Sequence, residues 1–80
     1  YKGEDHNDVA LIYNNIAIIY DTQKKPQLAK QYFMKAGEIW SKACGEKHSL
    51  TKGAYKNLVA VLKDLGENET AELYQMLING

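Results

Sequence analysis

Gly3-Glu4-Asp5-His6 and Gly45-Glu46-Lys47-His48 decide how this chain is read, because the second stretch repeats the first 42 residues later. At that offset Tyr13 falls on Tyr55, Asn15 on Asn57, Ala29 on Ala71, Tyr32 on Tyr74 and Met34 on Met76. Residues 3–38 set against 45–80 give 8 identities in 36 positions. The pairs Ile16/Leu58, Ile19/Val61 and Tyr20/Leu62 keep apolar character. A fixed period of this length marks a solenoid, in which each unit buries its apolar face on its neighbours.

Working outward, each copy resolves into two helices. Val9, Ile12, Tyr13, Ile16, Ala17 and Tyr20 recur with a 3.6-residue period and predict a helix over 8–21. Leu11, Ile18 and Ile19 widen its stripe, so the helix is expected to be buried on more than one side. After the polar stretch 21–25, Pro26 suits a helix's first turn, where its missing N–H is not needed. Leu28, Ala29, Tyr32, Phe33, Ala36, Ile39, Trp40 and Ala43 carry the second stripe, with Trp40 expected in the core against the third helix. Ser49 or Thr51 is the expected cap of that third helix, and Gly66 its stop. The fourth starts at Glu67–Thr70, with acids near its positive end. Gly3 is expected to close a preceding turn, and Asp5, Asn7 and Asp8 to cap the first helix. Short connections imply antiparallel hairpins.

Composition narrows the function. The 80 residues make one domain at most, with 45% hydrophobic residues and a net charge of zero. All ten basic residues are lysines, an arrangement poorly suited to nucleic acid, which calls for a positive excess. The lone Cys44 has no internal disulfide partner, and with no membrane span or signal pattern the expected compartment is the cytoplasm. His6, His48 and Cys44 are too few for a metal centre and lack the arranged base of a nucleophilic site. The plainer reading makes both histidines turn residues that cap or pack beneath a helix. No cofactor, metal, small-molecule substrate or catalytic residue is expected.

The order Tyr13-x-x-Ile16-Ala17-x-x-Tyr20, then Ala29-x-x-x-Phe33-x-x-Ala36, resembles the tetratricopeptide repeat. Its usual period is 34 residues. The longer period here, with the Gly-x-x-His turn and Asn14-Asn15-Ile16-Ala17, is similar to kinesin light chain repeats. The second copy departs at Val59 and Gln75, where a small residue and an aromatic are usual. The resemblance implies an all-α fold of two stacked antiparallel helical hairpins, four helices in a short right-handed solenoid. Repeat one covers 3–44 and repeat two 45–80, expected to be part of a longer array.

In that family the first helix of each repeat lines a concave groove. The resemblance therefore implies that Asn15 and Asn57 hydrogen-bond the main chain of a bound peptide, since an amide both donates and accepts. The alternative is that they are buried structural amides tying one hairpin to the next. Leu11, Asn14, Asn15 and Ile18 share one face of the first helix, and Gly53, Lys56, Asn57, Ala60 and Lys63 the matching face of the third. Ile18 and Ala60 would floor the groove; Lys56 and Lys63 would favour an acidic peptide or a C-terminal carboxylate. The function implied is a non-catalytic scaffold or adaptor for a protein or peptide partner. Self-association into a homo-oligomer is the alternative, with an exposed part of the Trp40 patch as one route.

Overall fold

The computed structural model describes residues 6–45 and 47–79. It consists of four helices: α1 (His6–Thr22), α2 (Pro26–Cys44), α3 (Ser49–Asp64) and α4 (Asn68–Asn79). Each helix packs on its neighbour in sequence, α1 on α2, α2 on α3 and α3 on α4, giving a thin slab of 39 × 30 × 14 Å. Two stacked helical hairpins are what the doubled pattern predicts. The proposed roles of Gly3, Asp5, Asn7 and the His6 side chain lie outside the described residues.

The turns inside the two hairpins are the same structure at the same repeat position. After α1, the Lys25 N–H donates to the Tyr20 carbonyl (2.9 Å) and the Lys24 N–H to that of Asp21 (3.0 Å). After α3, the Glu67 N–H donates to Leu62 (2.9 Å) and the Gly66 N–H to Lys63 (3.1 Å). Such pairs satisfy carbonyls that a helix end leaves open, and they require a left-handed residue. Gly66 meets that need at φ 80°. Lys24, 42 residues earlier, adopts it at φ 64° with a side chain attached.

Between the hairpins, α3 begins with the capping role expected of a turn histidine, not with a Ser or Thr cap. The cap is His48, whose Nδ1 accepts the Leu50 N–H at 3.1 Å, rather than Ser49 or Thr51. Thr51, fully buried, instead donates its hydroxyl back to the Gly45 carbonyl at 2.9 Å. That bond ties the turn, whose Gly45 has φ 93°, to the first turn of α3.

The core has two parts. Ala17, Ala29, Phe33, Leu58, Val61, Leu62 and Ala71 form the larger, and Ala10, Ala36, Trp40 and Ala54 the smaller. Alanines at the crossings bring backbones close, and Gly37 brings α2 closer still to Tyr55. Tyrosine rings meet between the helices of each hairpin: Tyr32 lies 5.7 Å from Tyr13, tilted, and 5.6 Å from Tyr20, stacked, and Tyr55 lies 5.1 Å from Tyr74, tilted. Lys30 reaches across to both carboxylate oxygens of Glu67 at 3.0 and 3.3 Å, tying α2 to the start of α4.

The expectation that α1 is buried on more than one side does not hold. Val9, Ile12 and Ile19 are exposed, as are Leu11 and Ile18. The comparison with α3 explains why. At the repeat offset, Val9, Ile12, Ile16 and Ile19 correspond to Thr51, Ala54, Leu58 and Val61, all buried. That face of α3 belongs to the core it shares with α2, whereas the described chain places no helix over the same face of α1.

Candidate functional site

A groove of about 380 Å³ opens between α1 and α3, with Trp40 of α2 in its wall. That is at the small end of the roughly 300–1,000 Å³ range of ligand pockets. Leu11 and Asn14 come from α1; Ser49, Leu50, Gly53, Ala54, Lys56 and Asn57 come from α3. Helical spacing produces this lining, because residues three and four apart share a face. Five residues proposed from sequence, Leu11, Asn14, Gly53, Lys56 and Asn57, are therefore brought together. Asn15, Ile18, Ala60 and Lys63 are exposed on the same two helices but outside this wall.

Asn15 and Asn57 are both exposed, and neither side chain makes a hydrogen bond within the described structure. They are not the buried ties between hairpins that the structural alternative requires. Asn is a poor helix-interior residue, and no side-chain hydrogen bond among the described residues compensates for it here. Lys56 is exposed at the wall, and Lys63 is exposed one turn beyond Ala60. The groove thus carries amide donors and acceptors with lysine charge on its α3 side.

Four wall residues escaped the sequence reading of the groove: Trp40, Ser49, Leu50 and Ala54. Trp40 is 3% exposed and belongs to the core, as its stripe predicts, while Tyr32 and Ile39 of the same patch are half-buried. Its indole Nε1 nevertheless has no hydrogen-bond partner, and neither does the buried Oδ1 of Asn14. Each orphaned buried group costs about 1–3 kcal/mol. Native interiors pair more than nine in ten such groups, with protein or with water.

A second cavity of about 360 Å³ lies between α2, α3 and α4, lined by Met34, Lys35, Glu38, Ser41, Tyr55 and Tyr74. Burial raises the Tyr74 phenol above its ordinary pKa, and the neighbouring Tyr55 and Glu38 raise it further. Among the described residues no three His, Cys, Asp or Glu side chains gather as metal ligands. No helix of the described chain is long and apolar enough to cross a membrane.

A family model described as Tetratricopeptide repeat matches residues 9–50, which is more than half of the chain and one full period long. The match runs from the start of α1 through α2 to the first turn of α3. Comparisons with curated proteins and with solved structures find no match to the chain.

Proposed function

Since the chain belongs to the tetratricopeptide repeat family of protein-interaction modules, we propose that it holds an extended peptide segment of a partner protein in the groove between α1 and α3, without catalysing a reaction. The observation that carries this reading is the pair Asn15 and Asn57. They occupy the same repeat position, face solvent and make no side-chain hydrogen bond among the described residues. Asn57 stands in the groove wall and Asn15 on α1 just outside it, and two such amides suit the alternating C=O and N–H groups of a peptide backbone. Lys56 and Lys63 bias the choice toward acidic segments, through an attraction that weakens with salt.

The test pairs Asn15→Ala with Asn57→Ala, using peptides selected on the wild-type protein from a random display library. Affinity is expected to fall at least about tenfold, the worth of one or two hydrogen bonds. The Tm is expected to hold, since both side chains are exposed. Unchanged affinity would remove the two asparagines from the binding mechanism.

Self-association remains a second reading because of α1. Its Val9, Ile12 and Ile19 are exposed where the matching α3 residues are buried. An apolar helix face of this kind is stable in water only when covered. On this reading a preceding repeat or another copy covers it. Light scattering should then show concentration-dependent assembly that Ile12→Lys abolishes. A monomer over the whole concentration range excludes the second copy.

A further inference from the structure

The cavity between α2, α3 and α4 shares no lining residue with the α1/α3 groove. Its polar groups are mostly acceptors. Ser41 spends its hydroxyl hydrogen on the Glu38 carbonyl at 3.0 Å. The phenol hydroxyls of Tyr55 and Tyr74 make no hydrogen bond among the described residues, and neither oxygen is sealed from solvent. The Glu38 carboxylate pairs with Lys42 at 3.6 Å, with both side chains largely in water, and such an i,i+4 pair is weak. Lys35 also lines the cavity, but its ammonium lies over the ring of Tyr13 on α1, 5.8 Å from the centroid.

That last contact is an internal precedent. In the first hairpin, Tyr13 and Tyr32 stand 5.7 Å apart, and the lysine ammonium sits on the pair. At the 42-residue offset Tyr13, Tyr32 and Lys35 correspond to Tyr55, Tyr74 and Leu77. The second hairpin therefore keeps the ring pair, at 5.1 Å, and carries an apolar side chain where the first carries its cation. It also faces Glu38 from α2, close enough for that carboxylate to act on the Tyr74 phenol.

We propose that the cavity bounded by Glu38, Tyr55 and Tyr74 binds the ammonium group of a lysine side chain presented by a partner protein. The Glu38 carboxylate supplies the charge, the two phenol oxygens accept the remaining hydrogens, and Met34 packs against the methylene stem. The chemistry follows from the count. An ammonium has three donors and no acceptor, matching three separate oxygens. The planar fork of a guanidinium suits one carboxylate and leaves the phenols unused. An anion is repelled by Glu38. This site lies apart from the groove and goes beyond the peptide-holding reading.

The two methionines make the readout specific, because Met34 lines the cavity while Met76 is 67% exposed outside it. The probe is butylammonium chloride, titrated at constant ionic strength and followed in carbon–proton NMR spectra of the methionine methyl groups. The Met34 methyl is expected to shift saturably, with half-saturation on the order of 10–100 mM for so small a ligand. Met76 is expected to stay in place. Butanol, of the same length without the charge, and butylguanidinium are each expected to shift Met34 several-fold less.

Glu38→Gln keeps the shape, removes the charge and is expected to weaken the response several-fold. Leu77→Lys leaves every wall residue in place and puts a lysine at the repeat position of Lys35, so its own ammonium is expected to compete and suppress the response. Both positions are exposed, so the Tm is expected to hold in each variant. The proposal is overturned if Met34 does not respond, if Met76 shifts as much, if butanol or butylguanidinium matches butylammonium, or if either variant leaves the response intact. Its fate is separable from that of the groove, because the Asn15/Asn57 variant is expected to keep the full Met34 response whether or not it loses its peptides.

Discussion

A Cβ on Gly37 would lie 2.7 Å from Cε1 of Tyr55, closer than non-bonded carbons approach. Tyr55 cannot swing clear, because it is buried and packed 5.1 Å from the ring of Tyr74. Gly37 therefore sets how closely α2 and α3 pack. Ala in place of Gly gains about 1 kcal/mol of helix propensity, but overpacking a filled core costs about 1–3 kcal/mol. Gly37→Ala is expected to lower stability by about 1 kcal/mol in urea unfolding. Gly37→Ala combined with Tyr55→Leu should recover part of the loss, a coupling that independent effects would not show.

Lys24 and Gly66 make the same turn at the same left-handed backbone, yet only one of them is glycine. A side chain in that conformation costs roughly 1–2 kcal/mol. Lys24→Gly is expected to stabilise the protein by about 0.5–1 kcal/mol, since glycine's extra freedom in the unfolded chain offsets part of the gain. The Tm should rise by a few degrees, and Gly66→Lys should lower it similarly. No rise with Lys24→Gly would mean that the lysine itself contributes to the turn.

Thr51 links two segments through one hydroxyl, donated from a fully buried residue to the Gly45 carbonyl. Thr51→Val keeps the shape and removes that bond. A loss of about 1 kcal/mol is expected, with faster proteolysis of the 45–48 turn as a local readout. Thr51→Ser, which retains the donor, should protect the turn better than Val even though it loses a methyl group.

Tyr74 gives stability a dependence on alkaline pH. Its phenol has a raised pKa in the folded protein, from burial first and then from Tyr55 and Glu38. The folded state therefore holds this proton more tightly than the unfolded state, where the pKa is about 10. The associated stability is complete below about pH 10 and is lost as pH rises through the raised folded value. The stability difference between wild type and Tyr74→Phe should be flat below pH 10 and shift in favour of Phe above it. A difference independent of pH throughout would contradict the shift.

The four helices were legible in the sequence because their signals are local. Pro26 and Gly66 mark ends, and the apolar period fixes each stripe. The cap of α3 was legible only as one of two roles for a turn histidine, capping or packing, beside the commoner caps Ser49 and Thr51, because His48 acts through a ring nitrogen while the usual caps are the short oxygen side chains of Ser, Thr, Asp and Asn. Periodicity also says that a face is apolar without saying what covers it, so Val9, Ile12 and Ile19 read as buried. For the groove, the repeat offset singled out Asn15 and Asn57 but left open whether they were exposed or buried between hairpins; both are exposed. The unpaired atoms of Asn14 and Trp40 have no counterpart in spacing. They depend on where α1 and α2 stand relative to each other.

The order of packing also sets how this slab comes apart. With each helix resting chiefly on its neighbours in the chain, α1 and α4 each rest mainly on one neighbour, while α2 and α3 each rest on two. Low sequence separation between contacts favours fast folding, and a chain of nearest-neighbour interfaces unfolds from its ends. Amide hydrogen exchange should then grade along the molecule, fastest in α1 and α4 and slowest where α2 meets α3. The groove joins α1, an outer helix, to α3, an inner one, so a ligand lying across it would slow exchange most in α1.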